Sequence, residues 1–162
     1  MAKRYSMNKT NALRQLDSAG ISYTVREYEV DENDLSGEHV AAVLNEDPQQ
    51  IFKTLVCCDE KNGHFVFCIP VNEELDLKKC AKAAGSKRME MIHLKDLLPL
   101  TGYIRGGCSP VGMKKPFPTF MDETAILFEG IYLSAGQRGM QMLVDPQKLM
   151  EYLGGNFADL VK

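Results

Sequence analysis

Phe52-Lys53-Thr54-Leu55-Val56-Cys57-Cys58-Asp59-Glu60-Lys61-Asn62-Gly63-His64-Phe65-Val66-Phe67-Cys68-Ile69-Pro70-Val71 is the stretch that decides the fold. Two apolar, β-branched and aromatic runs, 52–58 and 65–71, flank Asn62-Gly63. An Asn-Gly pair readily takes the positive φ angles of a tight hairpin turn, so the two runs read as antiparallel partners. Side chains alternate between the faces of a strand, so Ile51, Lys53, Leu55 and Cys57 share one side. A lysine among apolar neighbours has two explanations. Its stem packs while its ammonium reaches water, or its charge is held in a pocket against an electronegative ligand group.

Working outward, the hairpin is embedded in scattered helices and strands. Residues 7–19 place Leu13, Leu16 and Ala19 on one helical face, and Gly20 ends the pattern. Residues 21–30 read as a strand with Tyr23, Val25 and Tyr28 inward, followed by an acidic loop at 31–34. Ser36 caps a second helix whose stripe is Val40, Val43 and Leu44, and Asp47-Pro48 reads as a cap with proline at the first helical position. Downstream of the hairpin come a helix at 76–84 stopped by Gly85, a strand at 87–91 and a short helix at 93–98. Strands follow at 119–121, 125–128, 131–133 and 141–144, and Asp145-Pro146 opens a last helix that Gly154 ends. Strands and helices do not alternate regularly, which excludes a doubly wound parallel sheet. The expected fold is α+β, a mixed and largely antiparallel sheet curled like a barrel and surrounded by helices. No repeat, linker or low-complexity segment divides residues 1–162, so one domain is expected.

Bulk properties narrow the function classes. A chain of 162 residues, 44% hydrophobic and 25% charged, can build a core without disulfide or metal staples. The net charge of −3 argues against tight RNA binding by charge alone, although a local basic patch remains compatible with it. Lys78, Lys79, Lys82, Lys87, Arg88, Lys114 and Lys115 could form such a patch, or simply solvated faces. Cys57, Cys58, Cys68, Cys80 and Cys108 form no C-x-x-C pair, and His39, His64 and His93 stand at no metal-ligand spacing, so no metal or other cofactor is expected. Cysteines inside apolar runs point to a reduced, cytoplasmic protein. No run approaches the length of a membrane span, and the charged start is not followed by an apolar stretch of the kind a secretory signal has.

Besides Lys53, two loops contain residues suited to ligand contact. The segment 102–112 contains Gly106-Gly107-Cys108-Ser109-Pro110, where paired glycines let backbone N–H groups approach a ligand or simply make a turn. Ser134-Ala135-Gly136-Gln137-Arg138-Gly139 follows the apolar strand Ile131-Tyr132-Leu133. There Ser134 could hydrogen-bond a substrate and Arg138 a phosphate, or the segment is a plain hairpin loop. Gly-x-Ser-x-Gly, P-loop, HExxH and dinucleotide signatures are all absent. A hydrolase with this sequence would therefore depend on positioning and electrostatics.

Four segments in this order, Phe52-Lys53-Thr54-Leu55, Leu75-Asp76-Leu77-Lys78-Lys79, Thr101-Gly102-Tyr103 leading to Gly106-Gly107-Cys108-Ser109-Pro110-Val111-Gly112, and Ile131-Tyr132-Leu133-Ser134-x-Gly136-x-Arg138-Gly139, resemble the YbaK/EbsC family. That family includes Cys-tRNA(Pro) deacylases and the editing domain inserted in some prolyl-tRNA synthetases. The resemblance covers nearly the whole chain and implies the fold of the prolyl-tRNA synthetase editing domain. It implies that Lys53 is the essential lysine and Gly106 the first loop glycine, both catalytic. It further implies that Tyr28, Gly107, Ser109, Ser134, Gly136 and Arg138 bind substrate. The implied activity is trans-editing hydrolysis of misacylated tRNA(Pro), foremost Cys-tRNA(Pro), in which the substrate's own thiol attacks the ester carbonyl. The implied partners are the tRNA(Pro) 3′ end and prolyl-tRNA synthetase. Ala135, Gln137 and Gln141 depart from the family's usual glycine, lysine and acidic residue. They leave open a deacylase preferring another amino acid such as Ala, or a non-catalytic module binding aminoacyl-tRNA or a nucleotide.

Overall fold

The structure is a computed structural model that describes residues 9–162. In chain order its helices are α1 (Asn11–Ala19), α2 (Gly37–Leu44), α3 (Leu77–Ala84), α4 (Leu97–Thr101) and α5 (Pro146–Leu153). Its strands are β1 (Tyr23–Glu27), β2 (Phe52–Asp59), β3 (His64–Pro70), β4 (Met89–Met91), β5 (Thr119–Asp122), β6 (Ile131–Gln137), β7 (Met140–Val144) and β8 (Asn156–Ala158). The fold is α+β, and most strand pairs are antiparallel; the parallel exceptions are β3–β5 and β5–β8.

The expected single barrel-like sheet is not formed. The strands make two open sheets, β1-β7-β6 and β4-β2-β3-β5-β8. They touch through a parallel bridge between Ile51 and Tyr132, reinforced by the Tyr132 N–H donating to Gln50 O at 3.0 Å and Gln50 Nε2 donating to Gly130 O at 2.8 Å. Beyond this contact each strand keeps its own partner: Lys53 pairs with Ile69, and Ser134 with Gln141. A closed barrel would need β2 and β6 to remain paired along their length, and they separate instead.

The hairpin forms in the expected register, Phe52 opposite Pro70 and Cys58 opposite His64. Its turn is wider than Asn62-Gly63 alone. Only Asn62 takes positive φ, at 61°. The Asp59 carboxylate accepts from Lys61 N–H at 3.0 Å and Gly63 N–H at 2.8 Å, organising a longer loop.

The main core lies between the sheets. Ala12, Leu13 and Leu16 of α1, Phe52 and Val56 of β2, Ile131 and Leu133 of β6, Met142 and Val144 of β7, and Leu149 of α5 all belong to it. The opposite face of the five-stranded sheet, with Cys57, Phe67 and Ile69, is covered by Cys80 and Ala81 of α3. Both faces of the hairpin are therefore buried, which explains its near-continuous apolar character.

Caps set the helix starts as expected for Ser36 and Asp145, and Asp76, read as the first residue of its helix, proves to be its cap; the three side chains accept N–H groups of the first turn. The first helix starts later than residue 7. Thr10 caps it, accepting from Leu13 N–H, and residues 7 and 8 lie outside the described residues. Ala19 and Val43 face outward, and Ala12 and Ala41 replace them in the buried stripes. Asp47-Pro48 starts no helix. Gln50 N–H closes a single turn on Asp47 O before β2 begins. Residues 125–128 are not a strand, because Asp122 accepts Thr124 N–H and Oγ1–H and turns Glu123–Leu127 into a 3-10 helix. The three-residue β8 is too short to carry a periodic signal of its own.

Asp122 is 1% exposed, and its other oxygen accepts from Leu160 N–H at 3.0 Å. One side chain thus fixes both the turn after β5 and the C-terminal segment. Asp122→Ala should lower stability by about 2–3 kcal/mol, since it orphans a buried N–H as well as losing bonds to the side chain. Urea unfolding checks this: a midpoint equal to that of the parent protein would refute the assigned role. Asp122→Asn, which retains one carbonyl acceptor, should lose less.

Candidate functional site

The divergence of β2 from β6 leaves a cavity of about 460 Å³, within the usual range of small-ligand sites. Segments remote in sequence supply its wall, including Val71 after β3 and Met91, Ile92, Leu94 and Leu97 from the end of β4 to the start of α4. The start of β2 contributes Ile51 through Val56, including Lys53. The turn into α2 contributes Leu35, Ser36, Gly37, Glu38 and Val40. The glycine-rich loop contributes Arg105, Gly106 and Cys108, and the antiparallel sheet contributes Ser134 and Gln141, with Tyr28 just past β1.

Lys53 is half-buried and its Nζ donates to Val71 O at 3.3 Å, so the ammonium is held at the cavity instead of ranging through solvent. One carbonyl leaves two of its donors for a ligand. The parallel contact Ile51–Tyr132 explains why Lys53 and Ser134 share the site. Each lies two residues beyond the contact on strands running in the same direction. The Ser134 hydroxyl accepts from Gly136 N–H at 3.1 Å, leaving its own proton free to donate.

Four of the eight residues singled out from sequence therefore meet at one cavity: Lys53, Gly106, Tyr28 and Ser134. The other four do not line it and hold places in the loops around it. Gly107 is buried where a Cβ would stand 3.1 Å from Arg138 N and Gln137 Cα. It lets the glycine-rich loop pack directly on the backbone of the β6–β7 turn. Ser109 is fully buried, its hydroxyl accepting from Val111 N–H at 3.3 Å. Gly136, at φ 106°, belongs to the irregular β6 register between Ser134 and Gln137 and packs beside Tyr103. Arg138 reaches outward, donating through Nε to Arg105 O at 2.8 Å and pairing with Glu32 at 3.2 Å. These four residues hold two loops together, so that Gly106 stays at the wall.

The exposed side chains of Glu38 and Arg105, the buried Cys108 thiol and Gln141 are wall residues that no local motif marked as a group. The α3 lysines stand apart from this cavity. Lys79 is tied to the C-terminal segment through Val161 O at 2.7 Å and Asp159 at 3.0 Å. No group of three or more His, Cys, Asp or Glu side chains suited to a metal occurs among the described residues. No described helix is long and apolar enough to cross a membrane.

Among the described residues the wall contains no activated protein nucleophile. Burial pushes the Cys108 thiol up to about 12, so at neutral pH it is almost wholly protonated. The Ser36 hydroxyl donates to Asp34 and accepts from His39 N–H. No histidine lines the cavity. What the wall offers is a fixed ammonium, hydroxyl and amide donors, and apolar surface from Phe52, Val56 and Val40. That set can orient a ligand and stabilise developing negative charge.

The buried thiols have a measurable consequence. Cys57, Cys68, Cys80 and Cys108 are all pushed up to about 12 by burial, as is Tyr103. An acid whose folded pKa is raised stabilises the fold below its unfolded pKa and loses that contribution as pH rises toward the folded value. Stability should thus be level up to the ordinary thiol range and fall progressively from about pH 9 toward 12. Urea midpoints that rise across that interval would contradict the burial of these groups.

Residues 32–152 match the family model described as the aminoacyl-tRNA editing domain. A protein of Enterococcus faecalis, EbsC, described as a candidate Cys-tRNA(Pro)/Cys-tRNA(Cys) deacylase, is 49% identical over 160 residues, covering 99% of this chain and 98% of its own. A crystal structure described as a candidate trans-editing enzyme for prolyl-tRNA synthetase superposes with a TM-score of 0.80 at 25% identity, over 95% of this chain and 98% of that one. The hypothetical protein APE2540 shares the fold at a TM-score of 0.86 and 21% identity, over 94% of this chain and 100% of its own.

Proposed function

This chain belongs to the aminoacyl-tRNA editing domain family, and from that premise we propose that residues 1–162 act as one cytoplasmic deacylase of misacylated tRNA. The substrate we assign is tRNA(Pro) carrying cysteine. The description of the Enterococcus faecalis relative supports it. The observation that carries the reading is the convergence of Lys53, Gly106, Tyr28 and Ser134 on one cavity whose thiol is held protonated by burial and which no histidine lines.

In the proposed reaction the nucleophile arrives with the substrate. The cysteinyl sulfur forms a bond to the neighbouring carbonyl carbon, and the bond from that carbon to the ribose oxygen breaks. The thiol proton leaves with the ribose oxygen, and water later opens the resulting thiolactone to free cysteine. The protein holds the chain end so that sulfur and carbonyl meet, which removes much of the entropic barrier. Lys53 supplies positive charge toward the substrate's reacting end, and the Gly106 backbone supplies close approach near the carbonyl. Tyr28 and Ser134 position ribose or aminoacyl groups. The net charge of −3 supports a second proposal, that affinity for tRNA comes partly from prolyl-tRNA synthetase bound to the same tRNA.

Time courses with Cys-, Ala- and Pro-charged tRNA(Pro) test the activity. Cys-tRNA(Pro) should be cleared fastest, whereas binding of all three without hydrolysis would make the protein a binding module. Lys53→Ala should cut kcat/KM on the preferred substrate by about a hundredfold or more, with an unchanged melting curve. Retained activity would remove Lys53 from the mechanism. Replacing each cysteine in turn by Ala should leave turnover per folded molecule within severalfold of the parent. A loss of about a thousandfold at any one of them would indicate a covalent enzyme intermediate instead.

A further inference from the structure

The two ends of the cavity carry opposite charge. At one end is the turn into α2, where Gly37 packs on Val71 beside the start of β2. Residues 27–38, which lead into it, contain Glu27, Glu29, Asp31, Glu32, Asp34 and Glu38 and no lysine or arginine. At the other end Ile92 N–H donates to Val56 O, further along β2, and Met91, Ile92, Leu94 and Leu97 line the wall. Residues 91–115, which begin there, contain Lys95, Arg105, Lys114 and Lys115 against the single carboxylate of Asp96. Asp96 itself lines a separate groove with His93 and Pro99.

All four cations are exposed, and among the described residues none of them pairs with a carboxylate. Arg26, Lys79 and Arg138, by contrast, each hold one. Arg105 reaches the cavity wall, Lys95 follows the wall residue Leu94, and Lys114 lies over α4 with its Nζ donating to Pro99 O at 3.3 Å. The same segment leaves Leu94, Leu98 and Ile104 exposed. An apolar patch alone would suit a protein partner. Apolar surface combined with unpaired cations suits a single-stranded nucleic acid, whose phosphates meet the charges and whose base faces meet the apolar surface.

We propose that the 3′ strand of the RNA leaves the cavity over its β4–α4 end, with its phosphates on Lys95, Arg105, Lys114 and Lys115 and its unpaired bases on Leu94, Leu98 and Ile104. The carboxylates of residues 27–38 repel it from the other end, so that the strand enters in one orientation. The inference rests on the deacylase reading for the identity of the RNA. It also accounts for how a chain of net charge −3 accepts a polyanion, because its charges are sorted about the mouth of the site.

The triple variant Lys95→Gln/Lys114→Gln/Lys115→Gln tests this, since none of the three lines the cavity. Its KM for Cys-tRNA(Pro) should rise about tenfold or more at low salt with little change in kcat, and the slope of log KM against log salt should flatten by about two. A merely structural role would not move that slope. The melting curve should match the parent's. If it does not, Lys95→Gln/Lys115→Gln, which spares the Lys114 bond to Pro99, should still show a flattening of about one. At the opposite end, Glu29→Gln/Asp31→Asn should lower KM by about twofold and leave the slope unchanged, because it removes repulsion without removing a phosphate contact.

An unmoved KM in the lysine variants would overturn the inference, as would an equal change of slope in the acidic variant. If the parent protein hydrolyses no charged tRNA, the deacylase reading fails. The surface is then decided by the fluorescence anisotropy of a labelled acceptor-stem RNA hairpin with its unpaired 3′ end: weaker, less salt-dependent binding by the lysine variant supports it, and equal binding by parent and variant overturns it.

Discussion

The contact between Ile51 and Tyr132 is the constraint on which the rest of the architecture depends. Among the described residues it is the one place where the two sheets share strand hydrogen bonding, and both strands leave it in the same direction. Because each then pairs with a different neighbour, they separate, and the gap between them becomes the cavity. The apolar residues on either side of this junction form the core, so the site is bounded by the most buried part of the molecule. Lys53 and Ser134 owe their proximity to this junction, and neither needs a long loop to reach it.

The second element of the design is the locking of two loops. Gly107 allows the glycine-rich loop to lie against the backbone of the β6–β7 turn, and Arg138 closes the arrangement through Arg105 O and Glu32. Tyr103 donates to Val111 O across the same glycine-rich segment. Main-chain amides are useful to a ligand only if they do not move when charge develops, and these contacts supply that rigidity. Gly107, Ser109, Gly136 and Arg138 thus lie in the loops around the cavity and outside its lining.

A wall with an ammonium, amides and hydroxyls but no activated nucleophile suits a reaction in which the substrate brings its own attacking group. The buried thiols fit the same picture. They fill the core as small hydrophobes, held protonated by the absence of solvent and of cationic partners. Chemistry would then be controlled by how the bound chain end is oriented.

From sequence alone, the hairpin, the α+β class and the helix caps at Ser36 and Asp145 were legible, and so were Lys53, Gly106, Tyr28 and Ser134 as candidates, which the structure brings to one cavity. Those features follow from local rules: side-chain alternation, capping chemistry and an ordered series of motifs. The two-sheet division, the 3-10 helix at Glu123–Leu127, the strand β8 and the unpaired Gln141 amide were not. Each depends on a partner far along the chain. Asp122 reaches Leu160, Ile51 meets Tyr132, and β5 pairs with β8. Local sequence specifies which residues can form an element or carry a charge. Only tertiary packing decides which of them face one cavity and which polar atom is left there without a partner, because burial and hydrogen-bond satisfaction belong to the assembled surroundings and not to a residue's neighbours in the chain.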